Sequence, residues 1–288
     1  MIKLEIRHVA TYRYEGQVSF SPHAVRLLPR PDTQVRVLRQ QVDAGAGADI
    51  QMRRDLFDNL VAMCFFPHES DALDFRTEVD LTIEPKNPFH FLLESRALRV
   101  PVDYLPEERR ALAAYLEPSS FQLPDWLTME AGMFTVEGLV QINSEIPRRL
   151  AYELREKGDA MRPEETLRRG SGSCRDFAVL LAQALRKQGL AARLVSGFLW
   201  EPSEENDAPA RSELHAWVEV ALPGAGWVGL DPACGVFADH HRIAAAVGRQ
   251  ASDVAPISGR YFSNQPVASQ MEAVLEIRSP GPPKPADV

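Results

Sequence analysis

The chain has 288 residues, of which 25% are charged and 45% hydrophobic, and a formal net charge of -8. This is the composition of an ordinary globular protein, long enough to bury a substantial core in one large domain or two modest ones. The acidic balance argues against nucleic acid or an anionic membrane as partner. No run reaches the roughly 18 apolar residues that span a bilayer, and three cysteines cannot close a disulfide framework, so a reducing, cytoplasmic setting is expected.

The first hundred residues read as strands. Met1 to His8 lacks the long apolar core of a signal peptide. Instead Leu4, Ile6 and His8 alternate with Lys3, Glu5 and Arg7, the period of a half-buried strand. Further strands are expected at Val35–Leu38, Val61–Phe66 and Thr77–Ile83, punctuated by turn residues at Pro29–Asp32 and Asp55–Asn59. An antiparallel sheet or sandwich follows from that spacing.

The pattern changes near Pro101. Helices are expected over Glu107–Leu116 and over Gly138–Lys157, the latter kinked or restarted at Pro147. A short helix at Pro163–Arg168 has proline and acids in its first turn and stops at Gly170. The next helix runs from Cys174 to Gln188, with Phe177, Leu180, Leu181, Ala184 and Leu185 as its apolar stripe. Strands are expected at Ala192–Trp200, Glu213–Leu222 and Gly226–Leu230, the last two joined by the turn Pro223–Gly226. Glu201–Arg211 reads as an exposed loop, Glu272–Ile277 as one more strand, and Ser279–Val288 as a disordered tail. The chain thus divides into a β-rich region (1–100), a core with preceding helices (101–265), a C-terminal strand (266–278) and the tail (279–288).

Cys174 is the residue around which chemistry gathers. It follows Gly170-Ser171-Gly172-Ser173 at a helix start, where unpaired amides and the helix dipole favour a thiolate nucleophile. His215 and Asp231 lie on the two strands flanking the Pro223–Gly226 turn, a separation suited to facing positions of one hairpin. A thiol nucleophile needs a base within reach and a third group to orient that base. Cys174, His215 and Asp231 supply these in order, and the Cys174 backbone N–H is a natural oxyanion donor. Gln141, Asn143 and Tyr152 are the upstream candidates for a second donor.

Other readings are weaker. Asp176 serves either the site or the helix N-terminus, and Arg175 reads as a surface or ion-pairing residue. Trp217 and Trp227 read as packing, and Cys64 as buried and inert. Cys234, His240 and His241 match no standard zinc spacing, and Gly170-Ser171-Gly172 lacks the remainder of a phosphate loop.

Gly-Ser-Cys-Arg-Asp-Phe-Ala at Cys174, Leu-His-Ala-Trp-Val-Glu-Val at His215 and Gly-Trp-Val-Gly-Leu-Asp-Pro at Asp231 resemble the three core motifs of bacterial transglutaminase-like proteins. Thr11-Tyr12-Arg13-Tyr14 and His23–Arg30 resemble the β-rich domain that precedes the core in that group. The resemblance implies an α+β protein, an N-terminal antiparallel β domain before a papain-like core whose cysteine-bearing helix packs on an antiparallel sheet. It also implies a Cys174–His215–Asp231 triad, a thioester intermediate, a protein or peptide substrate and no required metal or cofactor. Family members include cross-linking enzymes, deamidases and peptidases, and bacterial relatives with this layout are more often regarded as proteases or amidases. A protease or amidase is therefore expected, ahead of a cross-linking or deamidating enzyme and of a catalytically silent scaffold. Two segments depart from the family pattern: Asp231-Pro232 is followed by Ala233-Cys234 instead of threonine, and Gly248-Arg249 by Gln250 instead of aspartate.

Overall fold

The computed structural model describes residues 1–45, 47–155, 158–202 and 210–280. Most of the loop expected after Glu201, the last residues of the helix expected to reach Lys157, and nearly all of the expected tail lie outside them.

Six strands open the chain: β1 (Ile2–Phe20), β2 (His23–Val25), β3 (Val35–Asp43), β4 (Asp49–Arg54), β5 (Leu60–Phe65) and β6 (Ser70–Ile83). Alternation sets which side of β1 is inward: Leu4, Ile6 and His8 are buried while Glu5 and Arg7 are not. The middle region holds α1 (Pro106–Ala111), α2 (Ala113–Leu116), α3 (Thr135–Arg149), β7 (Ala151–Tyr152), α4 (Pro163–Arg169), β8 (Ser171–Gly172) and α5 (Cys174–Lys187). There follow β9 (Ala192–Glu201), β10 (Arg211–Leu222), β11 (Gly226–Asp231), β12 (Val236–Phe237), β13 (Arg242–Gly248), β14 (Ile257–Ser258), β15 (Tyr261–Phe262) and β16 (Ser269–Arg278).

Two antiparallel sheets form the N-terminal part. One has the order β15-β1-β6-β3, with β16 also pairing β1, and the other the order β14-β2-β5-β4. They share a core in which Leu4, Ile6 and Leu81 of the first meet Val25, Ala62 and Cys64 of the second. The last strand therefore returns to the first: β16 pairs with β1 from Glu5↔Arg278 to Tyr14↔Ser269.

The second sheet system has the antiparallel order β12-β11-β10-β9-β13. Helix α5 packs on it through Phe177, Leu180, Leu181, Ala184 and Leu185, all buried against Val218, Val220 and Leu230. Burying each such leucine stabilises the fold by about 1.5–3 kcal/mol. Phe198 and Trp200 of β9 and Ile243 and Ala245 of β13 instead join the core of the N-terminal sheets, so the two halves share apolar packing.

Two helices differ from expectation. The stretch Glu107–Leu116 is two short helices, broken at Leu112, whose φ of -94° and ψ of 3° leave the helical region. The helix expected to reach Lys157 ends at Arg149, because Leu150 turns extended (φ -116°, ψ 135°) and the chain then pairs as β7 with β8. Pro147 sits in its last turn and does not restart it. At the end of α4, Gly170 takes φ 69°, the left-handed conformation that a side chain resists.

Candidate active site

Cys174 is the first residue of α5, and the turn before it is pinned by a buried carboxylate. Asp176 Oδ2 accepts from Ser173 N at 2.8 Å and from Ser173 Oγ at 2.7 Å. Its Oδ1 accepts from Met161 N at 2.7 Å and Arg155 Nη2 at 2.6 Å. Burial opposes charge on Asp176, yet these donors hold its carboxyl below the usual range. Asp176 therefore positions the helix start and, through it, Cys174. Arg175 donates to the Arg155 carbonyl, which ties the same approach segment to the helix.

The β7–β8 ladder brings a second group to the thiol. Ala151 N donates to Gly170 O and Glu153 N to Gly172 O, both at 2.9 Å, so Tyr152 is fixed beside the segment leading into α5. Its ring stands edge-on to Phe177, with centroids 6.2 Å apart. The residue is 41% exposed, and its phenol is raised by the partial burial of the ring and by the nearby Cys174 and Glu213. Of the three upstream candidates, Tyr152 is thus the one beside the thiol. Gln141 is exposed, and Asn143 is buried and donates to Val236 O at 3.0 Å.

The hairpin brings His215 and Asp231 together. The β10–β11 register pairs Val218 with Leu230, so one step further Asp231 stands across from Trp217. Asp231 is then the diagonal neighbour of His215 on the same face, within reach of a long side chain. His215 Nε2 and Asp231 Oδ2 are 2.9 Å apart, and both side chains are fully buried. His215 also lies opposite Gly197 of β9. A Cβ at Gly197 would meet the Ile243 carbonyl oxygen at 2.0 Å, so β13 approaches β9 there as only glycine allows. The Trp217 ring stacks near His215 at a 26° interplanar angle and limits its swing.

Three neighbours act on the imidazole. Burial works against its charged form, but the hydrogen bond to Asp231 and the nearness of Cys174 and Glu213 outweigh it and raise His215 far above its ordinary value. Burial likewise works against charge on Asp231, which the hydrogen bond and charge of His215 and the charge of Arg242 hold below the ordinary range. Nδ1 makes no well-aligned hydrogen bond among the described residues, and Glu213 Oε1 stands 3.3 Å away.

Arg242 was not singled out in the sequence. Its side chain is 4% exposed, its Nε reaches Asp231 Oδ2 at 3.0 Å and its Nη1 reaches Asp239 Oδ1 at 3.1 Å. The other Asp231 oxygen accepts from Ala233 N at 3.0 Å and Cys234 N at 3.4 Å, so the two residues that depart from the family pattern cradle the carboxylate. The second departure also has a structural account: Asp253 Oδ2 accepts from Arg249 N and Gln250 N, each at 3.0 Å. Glu213, two residues before His215 on the same strand, was missed as well, although strand alternation puts i and i+2 on one face.

The remaining candidates fall elsewhere. Cys64 is buried in β5, where burial pushes its thiol up to about 11. Trp227 packs under Arg193 at 4.1 Å and edge-on to Tyr115. Cys234 joins His215 and Asp231 in one group of potential metal-binding atoms, and Asp239, His240 and His241 form another, each within 4.8 Å. Arg242 is bonded to an aspartate of each group, which opposes a cation at either.

Known proteins resemble this chain in sequence and in fold. Residues 4–84 match the family described as the bacterial transglutaminase-like N-terminal region, and residues 128–232 the transglutaminase-like superfamily core. Uncharacterized protein Rv2569c of Mycobacterium tuberculosis is 27% identical over 286 residues, covering 91% of this chain and 88% of its own. Uncharacterized protein ML0607 of Mycobacterium leprae is 25% identical over 293 residues, covering 96% and 99%. A solved structure named "Putative Cysteine Protease from Cytophaga hutchinsonii" has a TM-score of 0.72 at 17% identity, covering 96% of this chain and 90% of that one. That likeness is one of fold, and it spans both halves of the molecule. The chain belongs to the bacterial transglutaminase-like proteins, joining their N-terminal region to a core of the transglutaminase-like superfamily.

Proposed function

We propose that this protein is a cysteine-dependent acyl-transfer enzyme that hydrolyses peptide or isopeptide amide bonds through a thioester on Cys174. The observation that carries the reading is the buried His215, bonded through Nε2 to Asp231 at 2.9 Å and close to Cys174. Membership of the transglutaminase-like superfamily supports a cysteine-dependent enzyme in general.

The steps follow from the arrangement. Cys174 Sγ, as thiolate, attacks the amide carbon while His215 holds the proton on Nδ1. The oxyanion faces the Cys174 backbone N–H, which has no intrahelical acceptor, and the Tyr152 hydroxyl. The C–N bond breaks as His215 passes its proton to the departing nitrogen, leaving a thioester. His215, now neutral, takes a proton from water, which attacks the thioester carbon. The C–S bond then breaks, the acid leaves and the resting state returns. Asp231, Arg242 and Trp217 keep the ring in one orientation throughout.

Product masses from a peptide library, incubated with wild type and Cys174→Ala, with and without added amine, test this. Hydrolysed products from wild type alone support the reading. Amine adducts in place of hydrolysis make the enzyme a cross-linking one, and identical products from both proteins leave a binding scaffold.

A further inference from the structure

The proposed chemistry gives the space outside His215 Nδ1 a definite meaning. Nδ1 must hand its proton to the departing nitrogen, so whatever neighbours Nδ1 on its substrate side neighbours that nitrogen too. Glu213 Oε1 stands 3.3 Å from Nδ1. The Glu213 side chain is 25% exposed whereas that of His215 is 0% exposed, so Glu213 is the member of this pair that solvent, and with it a departing amine, can reach.

Resting on the thioester reading above, we propose that Glu213 is a specificity-determining residue on the leaving-group side. It selects leaving and accepting amines that carry positive charge and disfavours those that carry a carboxylate. Glu213 is also paired with Arg211, a cation that competes for it, whose Nη2 reaches Oε1 at 2.8 Å and whose Nη1 reaches Glu201 Oε2 at 3.4 Å. Among the described residues both Glu213 contacts are made by Oε1, which leaves Oε2 for an N–H of the substrate. Bonding to His215, followed by Arg211, keeps Glu213 ionised against its partial burial.

The reaction itself changes the charge around Glu213. In acylation the Nδ1 proton goes to the departing nitrogen, the C–N bond breaks and the C–S bond is made. His215 is then neutral, and Glu213 has lost one of its two cationic neighbours. An ammonium on the departing or incoming amine replaces it. In the reverse sense an amine nitrogen attacks the thioester carbon, gives its proton to Nδ1 and expels the Cys174 thiolate. Asp231 does not substitute for Glu213 in this, because His215 and Arg242 both bind its Oδ2.

The test uses acetyl-enzyme made from p-nitrophenyl acetate and divided between water and three amines: ethylenediamine, propylamine and β-alanine. The readout is the ratio of acetylated ethylenediamine to acetylated β-alanine. It is internal to each protein, so a slower or partly unfolded variant leaves it unchanged, and intrinsic amine reactivity cancels between variants. Glu213→Gln should lower the ratio about tenfold at low salt, and added salt should shrink the difference. Arg211→Gln, which removes the competing cation, should raise it. A Glu213→Gln ratio within about twofold of wild type, a difference of about 0.4 kcal/mol or less, overturns the proposal. Absence of an acetyl group on wild-type Cys174 by intact mass overturns the thioester reading, and this proposal with it.

Discussion

Asp231 Oδ2 receives His215 Nε2 at 2.9 Å and Arg242 Nε at 3.0 Å, so one buried oxygen serves two cationic partners. The carboxylate orients the imidazole and neutralises an arginine whose side chain is only 4% exposed. Asp231→Asn keeps the shape and removes the charge. Catalysis should fall on the order of 10³–10⁴-fold, since the ring loses its fixed tautomer. Stability should fall by about 2–4 kcal/mol, because the buried Arg242 loses its fully buried partner and keeps only the more exposed Asp239 and Glu201. Urea melts and acylation bursts measure the two losses, and a variant with normal activity removes Asp231 from the triad.

The same pair sets a pH dependence. His215 is raised in the folded state, so its contribution is complete below its unfolded value of 6.5 and is lost as pH climbs toward the folded one. Asp231 is depressed, so its share is present above 3.8 and is lost as pH falls below that. Histidine NMR should show the His215 ring still charged well above the titration of an ordinary histidine, and His215 in Asp231→Asn titrating lower. A ring that titrates alike in both proteins contradicts the coupling.

Hairpin logic made His215 and Asp231 legible in the sequence, because a short turn and strand alternation fix which residues of neighbouring strands face each other. The helix stripe of Phe177, Leu180, Leu181, Ala184 and Leu185 was legible for the same reason: it is a local period. Arg242 was not. It begins β13, at the far edge of the sheet from β12, and meets Asp231 only through the path of the chain between those edges. Tyr152 lay inside an expected helix, and its place at the thiol depends on a two-residue parallel ladder between segments about twenty positions apart. Glu213 had a signal in its two-residue spacing from His215, but alternation says which face a residue shares and not what its carboxylate will touch.

Tyr152→Phe removes a hydroxyl and little else. The ring contact with Phe177 survives, so stability should stay within about 0.5 kcal/mol. If the hydroxyl donates to the oxyanion, acylation should slow by about 10²–10³-fold. Stopped-flow release of p-nitrophenol reports that step directly, and an unchanged burst rate assigns Tyr152 to packing alone.

Cys174→Ala should abolish acylation, leaving turnover lower by about 10³-fold or more, while the fold is kept. The thiol is half-buried, and its helix start is held by Asp176 and Ser173, which the substitution leaves alone. Loss of activity together with a large fall in melting temperature would instead mark Cys174 as a structural residue.

His8 supplies a prediction outside the site. It is 2% exposed in β1, opposite Thr77 of β6 and Leu275 of β16, and among the described residues neither ring nitrogen has a hydrogen-bond partner; nor has Thr77 Oγ1. Burial lowers its pKa to about 4. The sign is opposite to that of His215: between about 4 and the unfolded 6.5 the unfolded chain binds the extra proton, so stability falls with acidification. His8→Leu removes both the proton uptake and two unpaired buried nitrogens, each of which costs about 1–3 kcal/mol. The variant should be more stable than wild type, and its advantage should grow as pH drops through that window. Denaturant midpoints across the range decide it: a gap between the two proteins that does not widen toward acid means that His8 finds a partner in solution.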